Sequence, residues 1–567
     1  MEEIFRLTFG GMAGQGIKAA GLILAKIATR SGKQVFTYSG YPSLIRGGHN
    51  FTQVSISKGE VTSPGLKNDF WVALDQNTLR MHKDEFSDGC GILYDEGKNY
   101  DLSGINPQAK LYPIPLSQFA KEAGGPELLS NTVALGAVVA LLGGNVEILK
   151  DMLREEFGHK GDEAVEMNYK AVSLGYEHMK DKMFREVLKP EEQVTPRMVA
   201  NSNDMAALGA IAAGLQFAAI YPMSPASNIM HVLAAHQKEY GYVYKQPEDE
   251  ISAINMAIGA SMAGVRSMTA TSGGGFSLMT EAFGLAGMTE MPIVIVNAMR
   301  PGPATGLPTW SGQGDLQFVR HAHQGDFLRI ILAAGDAEET FHLTTQAFNL
   351  AEKYQTPVII LTDKNLCEHD QSMPLPDMSS YSVDRGKFTT DKQEDYKRYK
   401  VEEDGISLRS PAGTPNFFLA NSYEHDEYGF DTEEPGMINA QMEKRMRKQK
   451  TCREQEDISP KLFGNPEADL TIVSWGSNKG SILQSLKEFP NVNFLHITWI
   501  NPFPAQKVKE VLSSAKNVLN VEGNISGQMA SLIREQTGIE ITNHLLKYDG
   551  RPIFPEEIAD KIKSIIG

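Results

Sequence analysis

Three short polar segments of this chain carry the residue types that bind a small carboxylate-bearing ligand. Each follows an apolar run that predicts a buried strand, and the runs are Phe217–Met223, Val265–Thr271 and Ile293–Met299. The segments are Tyr221-Pro-Met-Ser-Pro-Ala-Ser227, Thr269-Ala-Thr-Ser-Gly-Gly-Gly275 and Met299-Arg-Pro-Gly-Pro-Ala-Thr-Gly306. In open α/β sheets, ligands bind outside the carboxyl ends of the strands. We therefore predict one site, built from the Ser224 hydroxyl, the backbone amides of the turn 272–275 and the Arg300 guanidinium.

Arg300 and Ser224 each have a structural alternative. Arginine offers a planar fork of donors that matches a carboxylate, but an arginine at the end of a strand can also be an ordinary surface residue. Ser224 precedes a predicted helix, where a serine can serve as an N-cap worth about 1 kcal/mol. Capping and hydrogen bonding to a substrate oxygen are compatible, so both interpretations stay open.

Glu250 begins a predicted helix of small residues, Ile251–Gly264, within the acidic segment Pro247-Glu-Asp-Glu250. The helix dipole favours acids in the first turn by about 0.3–1 kcal/mol. That effect explains the cluster without catalysis, and Glu248 and Asp249 need no further explanation. A catalytic role for Glu250 requires a specific ligand atom for its carboxylate.

A glycine-rich turn, Gly10-Gly-Met-Ala-Gly-Gln-Gly16, lies between the first predicted strand and the first predicted helix. Glycines there allow backbone amides to approach an anion at the helix N-terminus. The turn lacks the G-x-G-x-x-G spacing of a dinucleotide fingerprint. A phosphate contact and a purely structural turn therefore both remain open, as do anion binding and solvent exposure for the nearby Arg46.

The composition excludes several classes of function. The 567 residues carry a formal charge of -16, from 70 acidic and 54 basic side chains. This balance argues against a general nucleic-acid-binding or membrane surface. No apolar run approaches the ~20 residues of a membrane span, and the acidic N-terminus is unlike the basic start of a secretory signal.

The three cysteines lie far apart, at Cys90, Cys367 and Cys452. Three thiols cannot fill a four-cysteine iron–sulfur site, and we predict no metal site in this chain. Sparse cysteine usage favours a reducing compartment, which we predict to be the cytoplasm.

Strand and helix patterns alternate along most of the chain, which predicts a multidomain α/β protein with parallel sheets. Both faces of such sheets are covered, and their strands read as continuous apolar runs. We predict an α/β domain at 1–187, a second at 197–375, a charged irregular arm or insertion at 376–465 and a smaller α/β domain at 466–567.

Several of these motifs together resemble the α subunit of the 2-oxoacid:ferredoxin oxidoreductases, in the form with the γ domain fused N-terminally. The glycine turn and Tyr41-Pro-Ser-Leu-Ile-Arg-Gly-Gly-His-Asn50 resemble the γ domain. Tyr221-Pro-Met-Ser-Pro-Ala-Ser227 resembles Tyr-Pro-Ile-Thr-Pro-Ser-Ser, and Arg300-Pro-Gly-Pro-Ala-Thr-Gly-Leu-Pro-Thr309 resembles Arg-Gly-Gly-Pro-Ser-Thr-Gly-Leu-Pro-Thr. Glu522-Gly-Asn-Ile-Ser-Gly-Gln528 and Lys547-Tyr-Asp-Gly-Arg-Pro552 resemble a transketolase C-terminal-like domain.

The resemblance implies a reaction in which a 2-oxo acid, coenzyme A and oxidised ferredoxin give acyl-CoA, CO2 and reduced ferredoxin. It implies thiamine diphosphate shared with a β subunit, which would hold the Mg ion and a [4Fe-4S] cluster. Region 197–375 would be the pyrimidine-binding thiamine diphosphate domain. We expect activity only with the β subunit, in a heterodimer or a dimer of heterodimers.

The resemblance also assigns roles to residues. Counting back from Gly259-Ala-Ser-Met-Ala-Gly264 places the family's pyrimidine-binding glutamate at Glu250. Arg300 would hold the substrate carboxylate with Ser224, and Thr305 would join them as a substrate-binding residue. The predicted catalytic residues are thus Glu250, Arg300 and Ser224. The predicted cofactor-binding residues are Glu250, Pro222, Ser272, Gly273, Gly14, Gln15 and Gly16.

The substrate and two rival functions stay open at this point. The Arg300 motif resembles the 2-oxoglutarate branch, although serine in place of threonine at 224 leaves pyruvate or a branched-chain 2-oxo acid possible. One rival is a non-catalytic scaffold subunit, which predicts that Glu250→Gln and Arg300→Ala leave activity unchanged. The other is an NAD-dependent dehydrogenase, which requires tight dinucleotide binding by the first domain.

Overall fold

The computed structural model describes residues 3–42 and 47–567. The chain divides into two compact units. The first unit comprises Met1–Ala200, Glu368–Leu375 and Phe554–Asp560, and the second comprises Asn201–Cys367, Pro376–Ile553 and Lys561–Gly567. The fourfold division predicted from the sequence stays a prediction.

The strands of the described residues belong to three sheets. They are β1 Phe5–Met12, β2 Gln34–Gly40, β3 His49–Ser57, β4 Asn68–Ala73, β5 Phe86–Asp95, β6 Lys110–Ile114, β7 Arg197–Ala200, β8 Phe217–Ala219, β9 Val243–Lys245, β10 Ser267–Thr271, β11 Val294–Met299, β12 Ile330–Ala333, β13 Val358–Asp363, β14 Gln371–Pro374, β15 Lys461–Gly464, β16 Leu470–Ser474, β17 Val492–His496, β18 Trp499–Asn501, β19 Val518–Glu522 and β20 Asn543–Leu546.

The described residues also form α-helices between and beyond these strands. They are α1 Ile17–Arg30, α2 Gln76–Met81, α3 Leu116–Glu122, α4 Ser130–Leu141, α5 Val146–Phe157, α6 Asp162–Met179, α7 Ser202–Ala212, α8 Ser227–Tyr240, α9 Glu250–Met262, α10 Gly273–Met288, α11 Leu316–His321, α12 Ala337–Tyr354, α13 Lys364–Glu368, α14 Pro435–Gln455, α15 Asn478–Leu486, α16 Ala505–Ser514, α17 Gln528–Thr537 and α18 Pro555–Ile566.

The first unit is built on an eight-stranded mixed sheet, in the order β6-β5-β4-β1-β3-β2-β14-β7. Pairing is parallel from β6 to β1 and antiparallel beyond it. The sequence analysis missed β3 because its polar residues Gln53 and Ser55 interrupt the apolar pattern. Both side chains are nevertheless buried, and Gln53 bonds the backbone of Gly65.

The second unit contains two sheets, in the orders β18-β12-β13-β11-β10-β8-β9 and β15-β17-β16-β19-β20. In the larger sheet every pair is parallel except β18 with β12. The predicted α/β class with parallel sheets is confirmed. The strand predicted at Phe217–Met223 was too long, since β8 ends at Ala219. Pro222 and Pro225 follow, and proline cannot donate to a sheet ladder.

The larger sheet of the second unit is buried on both faces, as its apolar strands predict. All six residues of β11 and all six of β13 are buried. Helices α9 and α10 use small residues to pack on it, and Ala253, Ala257 and Ala282 are buried in the contact. This packing holds the carboxyl ends of the strands and the starts of the helices in fixed positions.

Within the second unit, a buried ion cluster joins the charged region 376–465 to the segment that precedes β11. Glu290, just before β11, accepts bonds from Lys444 at 2.6 Å and pairs with Lys448 at 2.5 Å, both on α14. Arg398 donates to the backbone carbonyl of Glu290 at 2.8 Å. Burial alone would raise the pKa of Glu290, but Lys444, Lys448 and Arg398 outweigh it and hold this pKa well below its usual range. The carboxylate is therefore charged and fully neutralised.

No single helix of the described residues is long and apolar enough to cross a membrane. One pair, Leu116–Glu122 with Glu127–Leu141, passes a length and hydropathy test jointly, but it is bent by 116°.

Candidate active site

The three predicted segments meet at one edge of the larger sheet in the second unit. Strands β8, β10 and β11 are adjacent and parallel, with Ser267 opposite Phe217 and Met268 opposite Val294. A cavity of about 650 Å³ opens at the carboxyl ends of β10 and β11. Its lining comes from the start of α10, the loop that follows β11 and the loops that follow β19 and β20.

Arg300 directly follows β11 and lines this cavity. Its Nη1 donates to the backbone carbonyl oxygen of Ser224 at 2.8 Å, while Nε is buried without a partner. Burial lowers the pKa of Arg300, and the negative charge of Asp315 acts in the opposite direction. Among residues 3–42 and 47–567, no carboxylate lies within ion-pair distance of this guanidinium. It is therefore available to an anionic ligand.

The turn that follows β10 places the start of α10 against the cavity. Ser272 is fully buried, and its hydroxyl has no partner among the described residues. Gly273 and Gly274 line the cavity with backbone. The helix that begins there has 16 residues, so its free amides present partial positive charge.

Glu250 lies behind this turn, at the first position of α9. It is only 4% exposed, and its Oε1 has no hydrogen-bond partner in the described part of the chain. A Cβ at Gly275 would lie 2.8 Å from Glu250 Cγ and 2.1 Å from Thr271 Oγ1, so this position requires glycine. Asp249 caps the helix by accepting from the Ser252 amide at 2.7 Å. Capping therefore does not explain Glu250, whose unpartnered carboxylate oxygen is costly to bury without a donor.

Ser224, Pro222 and Thr305 lie outside the cavity lining. Ser224 contacts Arg300 through its carbonyl oxygen. The alternative that Ser224 caps a helix is wrong, because α8 begins at Ser227 with Ala226 as its N-cap. Pro222 is half-buried in the same loop, and Thr305 is exposed beyond the lining part of its own loop. Substrate and cofactor roles for these three residues stay predictions.

Gly14, Gln15 and Gly16 belong to the first unit, where Gly14 and Gln15 line a separate cavity of about 620 Å³. Gly16 precedes α1 with φ +70°, and a Cβ there would lie 2.2 Å from Asn131 Nδ2. The turn thus has a structural reason for its last glycine. Its assignment to a cofactor stays a prediction, and Arg46 lies outside the described residues.

The lining of this first cavity is more acidic than basic. Asp75, Asp95 and Glu127 contribute carboxylates. Lys98, the one lysine of the described lining, pairs with Glu127 at 2.9 Å. These charges do not favour a phosphate at the glycine turn.

The sequence analysis missed two polar residues of the second-unit cavity, Asp315 and Gln313. Both follow the glycine-rich loop of Arg300, and nothing in their spacing distinguishes them from turn residues. Asn297 Nδ2 donates to Asp315 Oδ2 at 3.0 Å. Burial raises the pKa of Asp315, against the opposing effects of Asn297 and Arg300.

Gln313 joins the Arg300 loop to the smaller sheet of the second unit. Its Oε1 accepts from Asn478 Nδ2 and from the Gly523 amide, both at 2.8 Å. Its Nε2 donates to the Trp475 carbonyl oxygen at 3.2 Å. Because Gln313 is 2% exposed, this network fixes the loop from behind.

Three family models match successive parts of the chain. Residues 6–178 match "Pyruvate ferredoxin/flavodoxin oxidoreductase", and residues 468–558 match "Pyruvate:ferredoxin oxidoreductase core domain II". Residues 208–444, which include Glu250 and Arg300, match the thiamine diphosphate-binding region of pyruvate flavodoxin/ferredoxin oxidoreductase. The class is therefore that of the ferredoxin- or flavodoxin-linked oxidoreductases with a thiamine diphosphate-binding domain.

Relatives refine this class. The chain is 33% identical to the 2-oxoacid:ferredoxin oxidoreductase 2 subunit alpha of Aeropyrum pernix, over 99% of this chain and 97% of that one. It is 32% identical to the 2-oxoglutarate synthase subunit KorA of Methanothermobacter marburgensis, over 65% of this chain and 99% of that one. The chain belongs to the 2-oxoacid:ferredoxin oxidoreductase alpha-subunit family, and it is one subunit of an oxidoreductase with several subunits.

A solved structure is similar over the full length. It is a 2-oxoglutarate:ferredoxin oxidoreductase from Magnetococcus marinus with 2-oxoglutarate, coenzyme A and succinyl-CoA bound. The TM-score is 0.92 at 32% identity, and the match covers 100% of both chains.

Proposed function

We propose that this chain binds the 2-oxo acid and the pyrimidine ring of thiamine diphosphate in a 2-oxoacid:ferredoxin oxidoreductase that acts on 2-oxoglutarate. In this proposal Arg300 holds the substrate carboxylate and Glu250 holds the pyrimidine. The products are acyl-CoA and CO2, and ferredoxin accepts the electrons.

The observation that carries the proposal is the unpaired guanidinium of Arg300. It lies in a cavity of suitable size for a small acid, beside backbone amides and within the thiamine diphosphate-binding region. A unit-charge pair at ~4 Å is worth ~4 kcal/mol at an effective dielectric of about 20. Desolvation removes part of this energy. Arg300 therefore orients the carboxylate without holding it so firmly that CO2 loss is opposed.

The residues present fit the pyrimidine half of thiamine diphosphate. Glu250 keeps one buried carboxylate oxygen without a donor, which a ring N–H can satisfy. Gly273 and Gly274 of the turn present backbone to the cavity. Thiamine diphosphate, when bound, supplies the nucleophilic carbon and the electron sink for decarboxylation. The role of Glu250 is to hold a proton at the ring nitrogen.

The remaining components are assigned to partners. We place the Mg ion, the diphosphate and a [4Fe-4S] cluster in the β subunit, and coenzyme A and ferredoxin bind the assembled enzyme. We expect a heterodimer or a dimer of heterodimers, located in the cytoplasm. The alpha-subunit relatives support a partner subunit, and sparse, buried cysteines are compatible with a reducing compartment.

The choice of 2-oxoglutarate is supported by the bound ligands of the Magnetococcus marinus enzyme. 2-Oxoglutarate carries two carboxylates, yet Arg300 is the one cationic side chain in the described lining of the cavity. We therefore expect the β subunit to supply the group that meets the second carboxylate. Pyruvate, with one carboxylate, needs no such group.

The proposal is tested with the purified complex of this chain and its β subunit. We expect a higher kcat/KM for 2-oxoglutarate than for pyruvate, and Arg300→Ala to raise KM for either acid. Glu250→Gln should lower kcat by about 10²–10⁴, the usual contribution of a positioned acid–base group. An Arg300→Ala complex with unchanged kcat and KM would remove the carboxylate role. Unchanged activity in both variants would favour a scaffold subunit.

A further inference from the structure

Asp315 shares the cavity with Arg300 but has no role so far. It follows the Arg300 loop and directly precedes the short helix α11. The two side chains line the same space. They carry opposite charges, yet no ion pair within 4 Å joins them among the described residues.

The position of Asp315 in the chain predicts a different use. It is the N-cap residue of α11, where aspartate normally accepts a bond from the first-turn amides. Here its side chain makes no capping bond. Instead, Gln528 accepts from the Gln317 amide at 3.0 Å and donates to the Gly314 carbonyl oxygen at 2.8 Å. A distant side chain caps the helix, and the Asp315 carboxylate is left free for another purpose.

The surroundings hold this carboxylate at the cavity wall. Asn297 donates to Oδ2 at 3.0 Å, and no donor of the described chain bonds Oδ1. A Cβ at Gly273 would lie 2.5 Å from Oδ2, so glycine at 273 lets the carboxyl group lie against the start of α10. Because burial raises its pKa, the group carries a proton more readily than an exposed aspartate.

The separation from Arg300 argues against simple neutralisation. An acid that only neutralised the half-buried arginine would lie within ion-pair distance of it, often as a bidentate pair. Two unpaired, opposite charges facing one cavity instead fit a ligand with two different polar ends. A 2-oxo acid has such ends on adjacent carbons, an anionic carboxylate and a carbonyl oxygen that accepts a hydrogen bond.

We propose that Asp315 is a further catalytic acid–base residue, which exchanges a proton with the C2 oxygen of the 2-oxo acid while Arg300 holds the C1 carboxylate. This assignment rests on the proposed function. As the nucleophilic carbon named in the proposed function forms its bond to C2, the carbonyl π electrons move onto the C2 oxygen, and that oxygen takes the proton of the Asp315 carboxyl. The proton returns to the Asp315 carboxylate when the carbonyl group forms again in the acyl product, so Asp315 ends as it began.

Asp315→Asn in the full complex with the β subunit tests the assignment. We expect kcat to fall by about 10²–10⁴, with the dissociation constant of the 2-oxo acid changed by less than about threefold. The pH profile of kcat should lose one ionisation. Gly273→Ala pushes a methyl group against the same carboxylate, and we expect the loss of the same ionisation.

A second readout does not depend on turnover. Titration calorimetry of 2-oxoglutarate in buffers of different ionisation enthalpy counts the protons taken up on binding. An anionic ligand next to Asp315 favours the protonated carboxyl, so we expect uptake in the wild-type complex and none in Asp315→Asn. Glu535→Gln is the matched control. Arg320 on α11 donates to the two carboxylate oxygens of Glu535 at 2.9 and 3.0 Å, and the variant disrupts this pair without altering the cavity. It should keep the wild-type pH profile and proton uptake.

The outcomes separate the two proposals. Failure of the wild-type complex to bind any 2-oxo acid overturns the proposed function and, with it, this assignment. Binding with equal proton uptake and equal kcat in wild type and Asp315→Asn overturns the assignment of Asp315 alone. An equal loss in Glu535→Gln and Asp315→Asn also overturns it, because the effect would then come from a loosened helix.

Discussion

The two ends of strand β11 hold charged side chains in different ways: they are buried and paired at one end, half-buried and without an ion pair at the other. At the amino end, Glu290 is enclosed by two lysines and bonded through its backbone to an arginine. At the carboxyl end, Arg300 and Asp315 share a cavity without pairing. Buried charges are expensive unless they are paired and hydrogen-bonded. The paired end stabilises the fold, and we propose that the end without an ion pair binds a ligand.

The largest expected effect is the loss of stability when the paired end is broken. Glu290→Gln keeps the shape of the side chain but leaves Lys444 and Lys448 buried without a counter-charge. We expect the free energy of unfolding to fall by about 3–5 kcal/mol at neutral pH. Because the pKa of Glu290 lies below its ordinary 4.5, its stabilising effect is present above about pH 4.5 and is lost as the pH falls.

Chemical denaturation of wild type and variant between pH 3 and pH 8 checks this prediction. Glu427→Gln is the control, since it removes a half-buried pair with Lys397 in the same region. It should cost about 1 kcal/mol or less. Equal losses of unfolding free energy in the two variants would show that the buried cluster contributes no more to stability than the half-buried pair.

A smaller effect concerns Asp363, a buried acid beside the ligand-binding end. It is the register partner of Met299, and Ser477 donates to its Oδ2 at 2.5 Å. Burial raises the pKa of Asp363 from 3.8 to about 6, although Ser477 and nearby amides act against the shift. A raised acid pKa means that stability is highest below about pH 3.8 and is lost as the pH rises through about 6.

Asp363→Asn removes this ionisation. Relative to wild type, the variant should gain stability as the pH rises from about 4 to above 6. The gain in the free energy of unfolding should be at most about 3 kcal/mol, since each tenfold change in the ionisation constant is worth about 1.4 kcal/mol. Thermal or denaturant unfolding across this range measures the difference. A difference that does not change with pH would contradict the prediction.

The next effect is confined to ligand binding. Arg300→Ala should raise KM for the 2-oxo acid by about 10–100-fold, which is about 1.4–2.7 kcal/mol. The free energy of unfolding should change by less than about 1 kcal/mol, because no ion pair of the described chain is lost. Steady-state kinetics and denaturation of the same samples provide the two numbers. A large loss of stability in Arg300→Ala would show that Arg300, like Glu290, stabilises the fold.

The smallest expected effect is a difference in salt sensitivity between the two ends of β11. Raising NaCl from about 0.05 to about 0.5 M shortens the screening length to a few ångströms. The cavity is open to solvent, so KM of the wild-type enzyme should rise a few-fold. The stability difference between wild type and Glu290→Gln should stay within about 0.5 kcal/mol, because buried pairs are screened much less. A stability difference that vanished in high salt would contradict the contrast.

The sequence predicted the sheet that carries the site better than it predicted the side chains within the site. The runs predicted at Val265–Thr271 and Ile293–Met299 end where β10 and β11 end, and each begins within two residues of its strand. Antiparallel β3 was missed because the polar residues Gln53 and Ser55 interrupt its apolar pattern, although Gln53 is satisfied by the backbone of Gly65.

Within the site, position in the chain was a poor guide to orientation. Ser224 lies next to Arg300, but through its carbonyl oxygen, and which atom of a loop residue faces a neighbour depends on backbone torsions that spacing does not encode. Asp315 was missed because its release from capping depends on Gln528, which lies 213 positions further along the chain. A helix cap supplied by a residue so far along the chain leaves no local sequence pattern.

Because Gln528 caps α11, a C-terminal truncation that removes Gln528 should disturb the site. A fragment ending before residue 523 would keep the arginine and the glycine turn, yet its α11 would either fray or recruit Asp315 for its own amides. In both cases the acid would turn away from the cavity. A minimal catalyst cut from the thiamine-type region alone should therefore bind its acid substrate and convert it poorly.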